Sequence, residues 1–252
     1  MELNTSELKK YSRQLILKNI GISGQKKIFN SKILIIGAGG LGCPLLLYLA
    51  YSGAGNLGIV DNDKIEISNL SRQVLFTKND LGKFKATISK KFIRKVNKKI
   101  IVKTYLKKIN KENIHSIAKN YDYKCDGKDN IKSRLLINDY CIKYKKILIS
   151  SAISKYDGHI FSFDFKKDGP CLRCFMPNIP SLEQNCETDG IMSTLAGIAG
   201  SIQANEVIKS ILNIGKPLRN EIMIFNSLDL SFRKVKLNKN SSCKNHLHVL
   251  YK

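Results

Sequence analysis

The chain has 252 residues, 43 % of them hydrophobic and 25 % charged, which excludes a disordered or fibrous protein and leaves room for one sizeable α/β domain or two small ones. Met1 to Lys10 is polar, and the longest apolar region, residues 191–214, carries Gln203, Asn205, Glu206 and Lys209; neither a signal peptide nor a membrane span is expected, and the expected location is cytoplasmic. The net charge of +23 is scattered as lysines along most of the chain, beside abundant Asn and Ile, which reads as compositional drift rather than a nucleic-acid module; such a surface can also steer an acidic protein partner.

Glu7 to Asn19 reads as an amphipathic helix with Leu8, Tyr11, Leu15 and Ile16 on one face. Lys32 to Ile36 is a short apolar run, hence a buried strand, and Leu41 to Tyr51 follows as a Leu- and Ala-rich helix. Asn56 to Asp61 is the next strand. Strand, turn, helix and strand in this order open a doubly wound parallel sheet. Further on, Phe84 to Val96 reads as a helix, Ile100 to Tyr105 and Tyr121 to Asp126 as strands, and Asn130 as the cap of a helix through Cys141. Lys146 to Ser150 is another apolar strand. Gly158 to Phe165 then alternates, as a half-solvated antiparallel strand does. Residues 191–212 form the longest helical stretch, with the small residues Ala196, Gly197, Ala199, Gly200 and Ser201; Glu221 to Phe225 and Phe232 to Leu237 close the pattern. The fold expected is α/β: a Rossmann-like, mostly parallel sheet continued by antiparallel strands and a zinc knuckle. One continuous domain, 1–252, is expected, with a nucleotide-binding half over 1–152 and an antiparallel half over 153–252.

Gly37-Ala38-Gly39-Gly40-Leu41-Gly42 matches G-x-G-x-x-G between a strand and a helix. Glycine allows a tight turn and close approach to phosphate, and the helix N-terminus presents free N–H groups to it. Asp61, 19 residues after Gly42 at the end of the second strand, is placed to meet ribose hydroxyls. These features fit NAD as well as ATP. Cleaving a triphosphate needs more: cations on the outer phosphates and a carboxylate for Mg²⁺. Arg72 and Lys85 are candidate cations, and Asp129 follows a strand end, where ligands of open α/β sheets lie.

At this point the chain resembles the ThiF/MoeB/HesA family, bacterial relatives of the ubiquitin-activating enzymes. The matching stretches, in family order, are Tyr11 to Gln14, Gly37 to Gly42, Asp61-Asn62-Asp63, Ser68 to Gln73, Asp129-Asn130, Cys171-Leu172-Arg173-Cys174 and Asn185 to Thr188. The resemblance implies that Gly37, Gly39, Gly40, Gly42, Asp61, Asp63, Asn69 and Gln73 bind ATP, that Arg72 and Lys85 grip its phosphates, and that Asp129 serves Mg²⁺. It further implies a homodimer in which Arg13 reaches the partner subunit's nucleotide. One departure stands out: Lys128 replaces the threonine usual before Asp129, either to pair with Asp129 or to point to solvent.

The implied reaction is adenylation of the C-terminal glycine of a ubiquitin-like sulfur carrier, releasing pyrophosphate and priming thiocarboxylate formation by a sulfur donor such as a cysteine desulfurase or rhodanese-like protein. Gln73 to Thr77 and Met176-Pro177-Asn178 resemble ThiF more than MoeB, which implies the thiamine branch ahead of the molybdopterin one. Cys186 matches a position used for covalent linkage to the carrier. Seven cysteines, an odd number, fit reduced thiols and metal ligands better than disulfides. Cys171 and Cys174 in C-x-x-C spacing, with Cys243 and His246 near the C-terminus, suit a closed, structural Zn²⁺ site; His248 is the alternative fourth ligand. Cys43, Cys125 and Cys141 read as core residues. Two rivals explain less. A dinucleotide oxidoreductase accounts for the glycines and Asp61 only; a non-catalytic scaffold, an adenylating fold that has decayed, rests on Lys128 and the lysine-rich composition and is separated from the enzyme by pyrophosphate exchange.

Overall fold

In the computed structural model of the chain, residues 3–128, 130–177, 190–243 and 245 are described. Asp129, Cys186, His246 and His248 therefore lie outside the described residues. The chain opens with α1 (Thr5–Leu15), whose Asn4 and Glu7 form a reciprocal capping box, and α2 (Gly21–Asn30). Then come β1 (Lys32–Ile36), α3 (Gly42–Tyr51), β2 (Asn56–Val60), α4 (Lys85–Val96), β3 (Ile101–Tyr105), the short α5 (Ile114–Ala118), β4 (Tyr123–Asp126), α6 (Ile131–Lys143) and β5 (Ile147–Ser154). The second half holds β6 (Asp157–Asp164), the single turn α7 (Leu172–Phe175), the long α8 (Ser193–Leu212), β7 (Glu221–Asn226) and β8 (Ser231–Lys236).

All eight strands form one sheet in the order β3-β2-β1-β4-β5-β6-β7-β8. The first five strands pair in parallel, and β5 to β8 continue antiparallel. The order reverses between β1 and β4, so the carboxyl ends of those two strands flank the crevice in which open α/β sheets bind ligands. On one face, Leu45, Leu46 and Leu49 of α3 pack with Ile33, Ile35 and Ile59; on the other, Leu135, Ile137 and Cys141 of α6 pack with Leu34, Ile36 and Leu148. Burial on both faces explains why β1 reads as a continuous apolar run. The small residues of α8 let it approach α3: a Cβ at Gly200 would stand 2.4 Å from Pro44 Cγ.

Two expectations need adjustment. The alternating segment 158–165 is not half-solvated. Residues 160–163 of β6 are all buried, because α8 with Leu195 and Ala199 covers one face and Leu172, Phe161 and Phe163 join the core on the other. The first helix also stops at Leu15, and a second, unexpected one follows from Gly21, whose φ of +55° makes the turn.

Candidate active site

The glycine-rich turn leaves β1 at Gly37, whose φ of +102° is strained for any residue with a side chain. Gly37 N–H donates to Val60 O at 2.9 Å, and Cys43 N–H donates to Gly39 O at 2.9 Å, joining the turn to α3. Gly42 serves the packing of helix on strand: its Cβ would lie 2.1 Å from Gly37 O. Asp61, at the end of β2, is 2 % exposed. Its Oδ2 accepts from Ala38 N–H at 2.7 Å and its Oδ1 from Asp63 N–H at 2.8 Å. The carboxylate therefore braces the turn from beneath, each oxygen keeping one lone pair for a ligand.

Beside the turn lies a cavity of about 610 Å³, a size suited to a small-molecule ligand. Gly37, Gly39, Gly40, Asp61, Asp63, Asn69, Arg72, Gln73 and Lys85 all line it. Arg72 Nη1 donates to Ser68 O at 3.0 Å, and its aliphatic stem lies over Gly40, 3.5 Å from where a Cβ would stand. Lys85 is 7 % exposed and pairs with Asp63 Oδ2 at 3.5 Å. Gln73 is buried, and among the described residues its Oε1 has no hydrogen-bond partner. A buried polar atom in this position calls for a ligand or water donor. Gly42 stands behind the wall, and Arg13 sits exposed on α1, outside the lining residues. The lining also includes Glu66, Gly127, Lys128, Ala152, Ile153 and Ile191. Apart from Lys128 these residues carry no motif; Glu66 lies in the segment after β2, and the others come from the ends of β4 and β5 and the approach to α8.

A buried polar network underlies the β4 end. Asp126 Oδ2 accepts from Ser150 Oγ at 2.9 Å and Arg134 Nε at 3.2 Å, and Arg134 Nη2 reaches Ser150 Oγ at 3.0 Å. Asp126 Oδ1 accepts from Lys128 N–H at 3.0 Å. Gln203 of α8 donates to the carbonyls of Asp126 and Ile149 at 3.0 and 2.9 Å. Burial raises the Asp126 carboxyl above the usual carboxylate range, and the Arg134 guanidinium opposes that shift. Asn130 caps α6 by accepting from Ser133 N–H at 2.8 Å, as expected.

Outside the cavity lining, Cys171, Cys174 and Cys243 converge, with Cys171 Sγ at 3.8 Å from Cys174 Sγ and 3.7 Å from Cys243 Sγ. Zn–S bonds of about 2.3 Å in a tetrahedron put sulfurs about 3.8 Å apart, so the three thiols fit that ion. Asn240 N–H donates to Cys174 Sγ at 3.4 Å. Arg173 grips Asp139 of α6 at 2.6 and 2.9 Å, and Asn245 Nδ2 donates to the same carboxylate at 2.7 Å. The knuckle and the C-terminal segment are thus tied to α6. Cys43, Cys125 and Cys141 are fully buried, and burial pushes the Cys43 and Cys141 thiols up to about 12; these are core residues. Among the described residues no helix is long and apolar enough to cross a membrane.

A profile described as the ThiF family matches residues 11–245. The chain is 36 % identical to the "Sulfur carrier protein adenylyltransferase" of Thermus thermophilus, over 96 % of this chain and 92 % of that one. It is 41 % identical to "Adenylyltransferase and sulfurtransferase MOCS3" of Dictyostelium discoideum, over 96 % of this chain and 57 % of that one. With the "Probable molybdopterin-synthase adenylyltransferase" of Porphyra purpurea it shares 42 % identity, over 92 % and 61 %. The chain thus spans a little over half the length of the MOCS3 relatives it matches. Escherichia coli MccB, in a crystal structure titled with ATP, superposes with a TM-score of 0.82 at 26 % identity, over 93 % of this chain and 73 % of that one.

Proposed function

The chain belongs to the ThiF family, and from that premise we propose that it is an ATP-dependent adenylyltransferase acting on the C-terminal glycine carboxylate of a ubiquitin-like sulfur-carrier protein. The observation that carries this reading is the cavity itself. It combines a glycine-rich helix N-terminus and the Asp61 carboxylate with two cations, Arg72 and Lys85, that hydride transfer would not need.

In the proposed reaction the carrier's carboxylate oxygen attacks the α-phosphorus of ATP, the bond to the β-phosphate oxygen breaks, and pyrophosphate leaves. A carboxylate is already nucleophilic, so no general base is required; the chain's task is positioning and charge neutralisation. Asp61, Asp63, Asn69 and Gln73 would orient the nucleoside and the ends of the triphosphate. Arg72 and Lys85 would hold the outer phosphates, joined by Arg13 of the partner subunit in a homodimer. Mg²⁺, which offsets triphosphate charge when bound, would be held by Asp129. Zn²⁺ would be held by Cys171, Cys174, Cys243 and His246, cross-linking two distant segments. Cys186 is the residue assigned to a covalent link with the carrier, and the sulfur donor belongs to the cysteine desulfurase or rhodanese-like class. Residues 1–152 would serve the nucleotide and 153–252 the carrier and zinc within one domain, in the cytoplasm.

For the carrier, the ThiS type of the thiamine thiazole branch is our reading, resting on Gln73 to Thr77 and Met176-Pro177-Asn178. The molybdopterin branch is the second reading, favoured by the Porphyra relative's name. Intact-mass spectrometry of a ThiS-type and a molybdopterin-synthase-type carrier after incubation with the chain, ATP and Mg²⁺ separates them. Adenylylation of the ThiS type alone is expected. Adenylylation of the other alone would move the chain to the molybdopterin branch.

A further inference from the structure

Lys128 lies on the cavity wall, directly after Gly127 at the end of β4. Its backbone N–H is fixed by the buried Asp126 carboxylate at 3.0 Å, which Ser150 and Arg134 hold in turn. The side chain runs across the start of the glycine-rich turn: its Cδ is 3.7 Å from where a Cβ on Gly37 would stand, beside Gly127 O at 3.2 Å. Arg72 lies over the other end of the same turn, at Gly40. The turn is therefore flanked by two long cationic side chains, one at each end. Lys85 has Asp63 as an ion-pair partner, whereas among the described residues no carboxylate pairs with the Lys128 ammonium.

Resting on the adenylation reading above, we propose that Lys128 is a nucleotide-contacting residue that grips the phosphate next to the sugar. The two ends of the turn differ in what surrounds them. At the Gly37 end, Asp61 binds the Ala38 N–H and offers its remaining lone pairs where a ribose would lie. Arg72 stands at the Gly40 end, where outer phosphates would extend. A cation at the Gly37 end thus meets the α-phosphate. That is where the carboxylate oxygen forms its new bond as the bond to the bridging oxygen breaks, and where added negative charge is best stabilised by a fixed cation. The ammonium keeps its proton throughout. Lys128 thereby joins Arg72 and Lys85 as a third cation supplied by the same chain.

Calorimetric binding of adenosine, AMP and ATP to the full, zinc-loaded chain, without added Mg²⁺ at fixed salt, tests this in wild type, Lys128→Met and Lys128→Arg. The methionine variant keeps length and removes charge. It is expected to weaken AMP and ATP about tenfold while adenosine stays within about twofold, with the arginine variant near wild type. Unchanged AMP and ATP affinity in Lys128→Met, or an equal loss for adenosine, overturns the contact while leaving the nucleotide reading intact. A wild-type chain that binds none of the three overturns both.

Discussion

A side chain at Gly42 would bring its Cβ to 2.1 Å from the Gly37 carbonyl oxygen, backbone against side chain with no room to yield, whereas at Gly39 the nearest atom is Gln73 Nε2 at 3.7 Å. The two glycines therefore fail differently. Gly42→Ala is expected to destabilise the fold by about 1–3 kcal/mol or more through overpacking. Gly39→Ala should keep the wild-type Tm and lose nucleotide affinity, because it fills the cavity wall. Thermal melts with and without ATP check both; a Gly42→Ala variant as stable as wild type would contradict the packing role. Lys124 is a second residue with a cost attached. It is fully buried in β4, its Nζ donating to Tyr121 O and lying 5.8 Å from the Tyr140 ring centre. Burial pushes its pKa down to about 8. A lowered lysine pKa means that protonation favours the unfolded chain, so stability falls as pH drops from the unfolded value of about 10.4 towards 8 and levels off below it. Lys124→Met should raise Tm at pH 7, with the gain shrinking as pH rises through that window. An equal gain at pH 7 and above pH 10 would show that charge burial is not the cause.

At the level of elements, the cysteine knuckle acts on α6. Arg173 and Asn245 both bind Asp139, and Leu172 N–H donates to Asn138 Oδ1 at 3.0 Å. A metal held by thiols from residues 171–174 and 243 would close a long loop, and its loss should loosen the C-terminal segment first. Elemental analysis is expected to find about one zinc per chain. Chelation or Cys243→Ser should lower Tm by several degrees, on the order of 1–3 kcal/mol. Metal-free protein with an unaltered Tm would remove the structural role. The knuckle was legible because C-x-x-C is a local signal. The helices α2 and α5 were not. The first contains Gly21 and Gly24 and buries mainly Gln25, Ile28 and Phe29, so its periodicity is weak, and the second has only five residues.

Across the whole molecule, the parallel half follows from its sequence because β1, β2 and β5 are apolar on both faces and the glycine-rich turn marks the switch point. The candidate site was readable where its residues sit in contiguous motifs, as Gly37 to Gly42, Asp61 and Arg72 do. It was unreadable where folding assembles it: Asp126 meets Arg134, Ser150 and Gln203 across separations of 8, 24 and 77 residues. No spacing rule announces a network of that kind. The same network anchors the strand end that carries Lys128, so sheet, α6 and α8 together set that part of the cavity lining. The most direct test of the account is ATP–pyrophosphate exchange by the full chain with Mg²⁺ and a sulfur carrier ending in Gly-Gly. Exchange is expected to require the carrier's terminal glycine and to collapse in Arg72→Ala and Lys85→Ala. Folded, zinc-loaded chain that exchanges no pyrophosphate with either carrier type, or exchange that persists without a carrier, would contradict it.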